Sequence, residues 1–364
     1  MSMTSRERFS NTIYFKEVDH PFRWEAPAFW PTTIKIWHQQ GMPESINENN
    51  IESYFKMDRL EFMPIRSGWT GTPFSPPFKE KIIDSDEKYI IKIGEDGITI
   101  KQKKVESDTS MPQFLKFPVK NLKDFKQIKK RLDPKSIKRL PSNWNKLINK
   151  YANRDFPLGV FVCGSFGHPR NLMGDENLMY ALYDDPQLIT LIMENWLELY
   201  EGYFDLICRD IIPDFILIWE DMAYKNGSLI SPIHFKTFMF PYLKKLISFV
   251  RNKGIDIVVV DSDGDIEELL PIFINAGINT IFPFEVQAGM DIIAVRKQYG
   301  RRFAIIGGID KRSLVDKRKI KSELDIKMPY MLQNNGYIPS LDHSVPPNIT
   351  FENFLFYVNL IRKY

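Results

Sequence analysis

Four successive apolar runs between residues 257 and 343 each stop at polar, ionisable or glycine residues: IVVVDSDGD, TIFPFEVQAG, FAIIGGIDK and YIPSLDHSVPP. Their length and β-branched content mark them as buried strands. The segments between them, IEELLPIFINAG, MDIIAVRKQYG and SLVDKRKIKSELDIKMPYML, carry helical periodicity. Strands that recur about every 25 to 35 residues with a helix between them predict a parallel α/β sheet or an (α/β)8 barrel. The alternation already begins at 156, with FPLGVFVCGSFGHPRNLMG, a helix over 186–210, the strand DFILIWEDMA and a helix over 232–253.

The first third of the chain follows another pattern. TSRERFSNTIYFKEVDH reads as a short amphipathic helix packed across the body and capped by Thr4 or Ser5. HPFRWEAP is expected as a first barrel strand, and WPTTIKIWHQQG and NIESYFKM as two short helices. From 61 to about 120 the period changes to two. There EKYIIKIGEDGITIKQKKV predicts a β-hairpin that turns at GEDG. A barrel does not need this insertion, which covers the mouth, fills space or supports a dimer. A basic helical connector follows over 121–150. No internal repeat or low-complexity linker divides the chain, so one domain over residues 1–364 is expected: a TIM barrel with an N-terminal helical segment and a hairpin insertion.

Composition narrows the function classes. The formal net charge is +3 over 364 residues, and the basic runs FKQIKKRLDPKSIKRL and DKRKIKSEL are broken by acidic and apolar positions. They read as solvated helix faces, so neither nucleic acid nor a membrane surface is expected as a partner. The two cysteines, Cys163 and Cys208, make no disulfide framework and no CxxC metal motif. Without a signal-peptide pattern or a run of about 20 apolar residues, a soluble cytoplasmic protein is expected.

The candidate chemistry lies where the strands end. Asp261 and Asp263, two apart on extended chain, point the same way. A calcium loop is excluded because its sixth and twelfth positions hold Ile266 and Ile272. Asp265 with Glu268 fits a capping box and is expected to start the next helix. His343, beside Asp342 in SLDHSVPPN, would be brought back towards the other strand ends by a barrel. Asp261, Asp263 and His343 could then hold a zinc, iron or manganese ion; alternatively they form a turn and a loop hydrogen bond. Glu220 and Asp221 are candidates for metal ligand or general base, with Asp221 equally suited to holding its loop. Glu285 and Gln287 suit substrate hydrogen bonding. Asp310 and Lys311 follow two glycines that allow close backbone approach, and bind substrate or pair with each other. His168 and Arg170 grip an anionic group or anchor their loop. Trp24, Trp30, Trp37 and Phe284 line an apolar pocket or belong to the core.

Taken together, TSRERF, WEDMAYKNGSLISP with FPYLKKL, DSDGD, FPFEVQAGMD, GGIDKR and IPSLDHSVPPN resemble, in order and spacing, the uroporphyrinogen decarboxylase superfamily. The resemblance runs over nearly the whole chain. It implies an (α/β)8 barrel that acts either as a tetrapyrrole decarboxylase or as a methyltransferase linked to corrinoids. Where the decarboxylase has an arginine-rich RQAGRY-type segment, this chain reads PFRWEAPAFW, and Arg23 alone stands in to bind substrate carboxylates. Where the methyltransferases bind zinc through a His-x-Cys pair and a later Cys, the matching positions are Asp261, Asp263 and His343, so harder donors replace the thiolates. The resemblance therefore implies a divalent metal, zinc foremost, with cobalamin carried by a partner protein and possible homodimerisation. The expected function is metal-dependent demethylation of a small methoxylated or related substrate. The alternatives are a decarboxylase or lyase acting on a carboxylated substrate, and a barrel that binds a corrinoid or tetrapyrrole without turnover.

Overall fold

The computed structural model describes residues 2–68, 71–104, 111–333 and 335–364. Its centre is a curled parallel sheet of seven strands in chain order. These are β1 (Glu61–Phe62), β2 (Leu158–Cys163), β3 (Phe215–Trp219), β4 (Ile257–Asp261), β5 (Thr280–Phe282), β6 (Ala304–Ile309) and β7 (Tyr337–Leu341). Each strand pairs with the next in parallel register, for example Asp261 with Trp219 on one side and with Phe282 on the other.

The strands sort their side chains by alternation. Phe215 and Leu217, Ile257 and Val259, Ala304 and Ile306, with Ile338, form an inner apolar cluster on the concave side of the sheet. The opposite parity, Ile216, Ile218, Val258 and Val260, joins the larger outer cluster beneath the helices. This sorting places the next residue of the inner series at each C-terminal strand end: Trp219 on β3 and Asp261 on β4.

The helix Ser5–Ile13 closes the other end. Thr4 and Glu7 form the capping box at its start. Phe9 and Ile13 enter the inner cluster beside Phe22 and Trp24, and Arg8 ties the helix down through Asp19 and Asp58. The HPFRWEAP segment carries no regular strand, although it runs extended past the sheet edges. Asp58 donates its backbone N–H to the Arg23 carbonyl at 2.8 Å, and Leu341 of β7 donates to the Glu25 carbonyl at 3.0 Å.

The predicted hairpin is present and is the centre of a larger sheet. Tyr89–Ile93 and Thr99–Lys103 pair antiparallel around the GEDG turn, flanked by Lys81–Ser85 and Gln113–Lys116. Residue 105, at the end of the predicted hairpin, lies outside the described residues. The C-terminal helix Phe351–Ile361 packs on its own chain, with Phe351 and Phe354 against Trp37 and Phe55. Trp37, Trp24 and Phe284 are buried in the core, and Trp30 is half-buried.

One helix start departs from expectation. Leu270–Ala276 begins five residues after Asp265, with Pro271 in its first turn. Proline is tolerated in a first helical turn, where its missing N–H has no partner to lose, and residues 267–269 form a turn ahead of the helix. Asp265 there accepts the Glu267 N–H. Among the described residues, no helix is long and apolar enough to cross a membrane.

Candidate active site

The C-terminal ends of β3 to β7 gather five carboxylates, Asp221, Asp261, Asp263, Glu285 and Asp342, around His343 and Lys311. Each is held by backbone geometry. After β3, the Glu220 and Asp221 N–H groups donate to the Asp261 carbonyl, at 2.9 and 3.3 Å. Asp221 adopts φ +43, a left-handed conformation that few non-glycine residues tolerate without support. The support is Arg170, whose guanidinium donates to the Asp221 carbonyl at 2.6 Å and to its carboxylate at 3.1 Å. The same guanidinium lies 4.7 Å from the Trp219 ring. Glu285 accepts the Gly264 N–H at 3.0 Å, which pins the DSDGD turn.

The β5–β6 side depends on close packing of backbone. Gly308 donates to the Pro283 carbonyl at 2.8 Å. A Cβ on Gly307, which has φ +100, would sit 2.1 Å from that oxygen. The two glycines noted in GGIDK thus do allow the backbone approach that positions Phe284 and Glu285. At β7, Asp342 accepts the Lys311 and Val286 N–H groups at 3.0 and 2.9 Å. It thereby joins the ends of three strands.

Three of these carboxyl groups, Asp261, Asp263 and Asp342, resist ionisation. Burial, then the neighbouring Asp221 and Glu285, push Asp263 up to about 7, while Lys311 opposes the rise. Burial raises Asp342 to about 6 despite its two backbone donors. Asp261 is raised well above the ordinary carboxylate range by burial and by Asp263 and Asp221. His343 is lowered by burial and by Lys311, and its Nε2 stands 3.8 Å from the Asp263 carboxylate. The result is a neutral imidazole facing a carboxyl group poised between its two states.

The arrangement does not fit the expected metal. Among the described residues, no three His, Cys, Asp or Glu side chains stand close enough to share one ion. Ser344 donates its N–H to His343 Nδ1 at 2.8 Å. The neutral ring therefore carries its proton on Nε2, the nitrogen turned towards Asp263, whereas a metal ligand needs that nitrogen bare. As placed, Asp261, Asp263 and His343 lie at one end of the sheet, with the His343 ring turned towards the Asp263 carboxyl group.

The remaining candidates divide. Glu220 is fully buried and holds the turn before the helix Gly167–Met173. It accepts from Ser165 N and Oγ at 2.8 and 2.7 Å, from Phe166 N at 2.7 Å and from Gly167 N at 3.4 Å. Burial raises its pKa, and these donors oppose the rise. Every partner is a donor, so the group sits there as a carboxylate. Arg23 lies between Phe22 and Trp24, both of the inner cluster, and alternation turns it away from the mouth. Its backbone is tied to Asp58. Gln287 is exposed beyond the cluster. Asp310 caps the short turn Lys311–Val315 and pairs with Arg312 at 2.8 Å, not with Lys311. His168 is buried apart from the acidic group. Two participants had a readable signal that the sequence reading did not use. Asp342 and Trp219 both continue the inner alternation of their strands, after Ile338 and Ser340 and after Phe215 and Leu217.

The model of the uroporphyrinogen decarboxylase (URO-D) family matches residues 98–364. That is well over half the chain, and the protein belongs to this family. Among curated relatives, the uroporphyrinogen decarboxylase of Wolinella succinogenes is 23% identical over 195 residues, which cover 52% of this chain and 55% of the relative. That of Chlorobium limicola is 25% identical over 197 residues, covering 52% and 54%. The chain thus spans about half the length of the curated relatives it matches. Among solved structures, a methyltransferase from Methanosarcina mazei superposes with a TM-score of 0.62 at 13% identity, covering 100% of this chain and 99% of that one. This is a likeness of fold.

Proposed function

We propose that this protein is an enzyme that transfers a methyl group from a heteroatom of a small neutral or cationic substrate, with Asp263 as its general acid. The fold is read as an (α/β)8 barrel acting as one unit, with the extended 22–29 segment in the eighth position. The observation that carries this reading is the charge of the mouth. Five carboxylates face Lys311, while Arg170 is already committed to Asp221. Such a site repels a polycarboxylate and favours a neutral or positively charged molecule.

A methyl group leaves a nitrogen or oxygen readily only if that atom does not depart as an anion. With a neutral ether or amine, Asp263, titrating near 7, can give its proton to the departing atom and recover it from solvent between turnovers; a cationic nitrogen departs neutral and needs no proton. His343 Nε2–H, facing the same carboxylate, stabilises it once it is ionised. Lys311 keeps the acid from becoming too weak to donate. Trp219, stacked on Arg170, offers an aromatic face to a cationic head group. In this reading the methyl acceptor is a corrinoid on a partner protein, as the resemblance of the strand-end motifs implies.

The test is incubation with reduced cobalamin and a panel of methylated amines and methyl ethers, with the demethylated product followed by mass spectrometry. Asp263→Asn should lower turnover by about 100-fold or more, the usual contribution of a positioned general acid. Carbon dioxide release from a polycarboxylate, with no demethylation of any panel member, would replace this reading with the decarboxylase alternative.

A further inference from the structure

The helix Lys317–Leu332 carries Glu323 and Lys327 one turn apart, and the two side chains pair with each other. Both are turned inward, the glutamate 17% and the lysine 10% exposed. Each also binds backbone at the end of β6. Lys327 Nζ donates to the Gly308 carbonyl at 2.7 Å, and Glu323 accepts the Asp310 N–H at 2.9 Å. From β7, the buried Tyr337 hydroxyl donates to the Gly307 carbonyl at 3.0 Å. The next N–H, that of Lys311, goes to Asp342 at 3.0 Å. The chain from Gly307 to Lys311 is thus held by side chains along its whole length.

This strand end has little stiffness of its own. Gly307 and Gly308 adopt φ +100 and +73, and no Cβ restrains either of them. Its position therefore depends on outside partners. A buried ion pair adds little to stability, and apolar side chains of similar volume often serve as well. What they cannot supply is a donor for one particular carbonyl and an acceptor for one particular N–H. Glu323 and Lys327 supply both, just before the residue whose side chain meets the acidic cluster. Lys311 is the cation that Asp263, Asp342 and His343 share as an electrostatic neighbour.

We propose that Glu323 and Lys327 are positioning residues, which hold the end of β6 so that the Lys311 side chain faces the acidic cluster. Their part in turnover rests on the reaction proposed for that cluster, in which Lys311 supports the acid. Their part in placing Lys311 does not.

NMR on protein carrying lysine labelled with carbon-13 at Cε tests the placement, with the Lys311 signal assigned from Lys311→Arg. Glu323→Leu removes the acceptor of the Asp310 N–H and should move the Lys311 signal to the position of a solvent-exposed lysine. Lys327→Met, which removes the donor to Gly308, should do the same and serves where Glu323→Leu does not fold. Glu323→Gln keeps a side-chain oxygen in place and should leave the signal where it is in the wild type. Phe9→Ala, at the opposite end of the sheet, should leave it too, which separates placement from a general loss of stability. In the demethylation assay, Lys327→Met should lower turnover as far as Lys311→Ala does. The double variant should fall no more than about 2-fold below Lys311→Ala alone, because the two changes remove one interaction. A Lys311 signal unmoved in Glu323→Leu and Lys327→Met, or losses that multiply in the double variant, would overturn the proposal. Failure of every panel substrate would instead count against the proposed reaction, and the Lys311 signal would still decide the placement.

Discussion

At the scale of single residues, Asp263 carries the chemistry and Glu220 carries the structure. Raising the pKa of a carboxylate in the folded state costs stability above that pKa and nothing below the unfolded value. For Asp263 the unfolded value is 3.8 and the folded value about 7. Wild type should therefore lose stability relative to Asp263→Asn as pH rises from 4 to 7, and the two should converge below 4. Asp263 is 38% exposed, so solvent screening limits the difference at pH 8 to on the order of 1 kcal/mol. Thermal melts of the two proteins at pH 4, 6 and 8 check the sign. Glu220 matters through its hydrogen bonds. Its removal leaves buried N–H groups unpaired, and Glu220→Ala should destabilise by about 3 kcal/mol in urea unfolding at pH 7.

At the scale of elements, strands were more legible than helix starts. The four runs from 257 to 343 end within a residue or two of the observed strands, because β-branched blocks between polar residues leave little choice. The helix after β4 starts late because Pro271, not the capping pattern at Asp265, sets its first turn. The Ser344 N–H donates to His343 Nδ1 and so bears on which ring nitrogen is free for a metal. Spacing cannot show such a contact. Arg23 alternates with Phe22 and Trp24 of the inner cluster, a pattern visible in the chain itself. Packing between elements gives its own prediction. Gly307→Ala would set a Cβ 2.1 Å from the Pro283 carbonyl at φ +100. It should destabilise by more than about 2 kcal/mol, whereas Gly289→Ala, with open space around it and a similar φ, should cost only about 1 kcal/mol in the same assay.

At the scale of the whole molecule, the inner core and the acidic mouth are two ends of one construction. The helix Ser5–Ile13 seals one end with Phe9 and Ile13, so the strands can bring ionisable groups together only at the other. Phe9→Ala should lower stability by about 3 to 5 kcal/mol, measured by chemical denaturation. The claim that joins the levels is that the fold crowds carboxylates until Asp263 titrates near neutrality. Its most direct test is carbon-13 NMR titration of the aspartate carboxyl groups, with Asp263 assigned from Asp263→Asn and followed again in Lys311→Ala. The account predicts a midpoint near 7 in the wild type, and a higher one once Lys311 is gone. A midpoint near 4 in both proteins would contradict it.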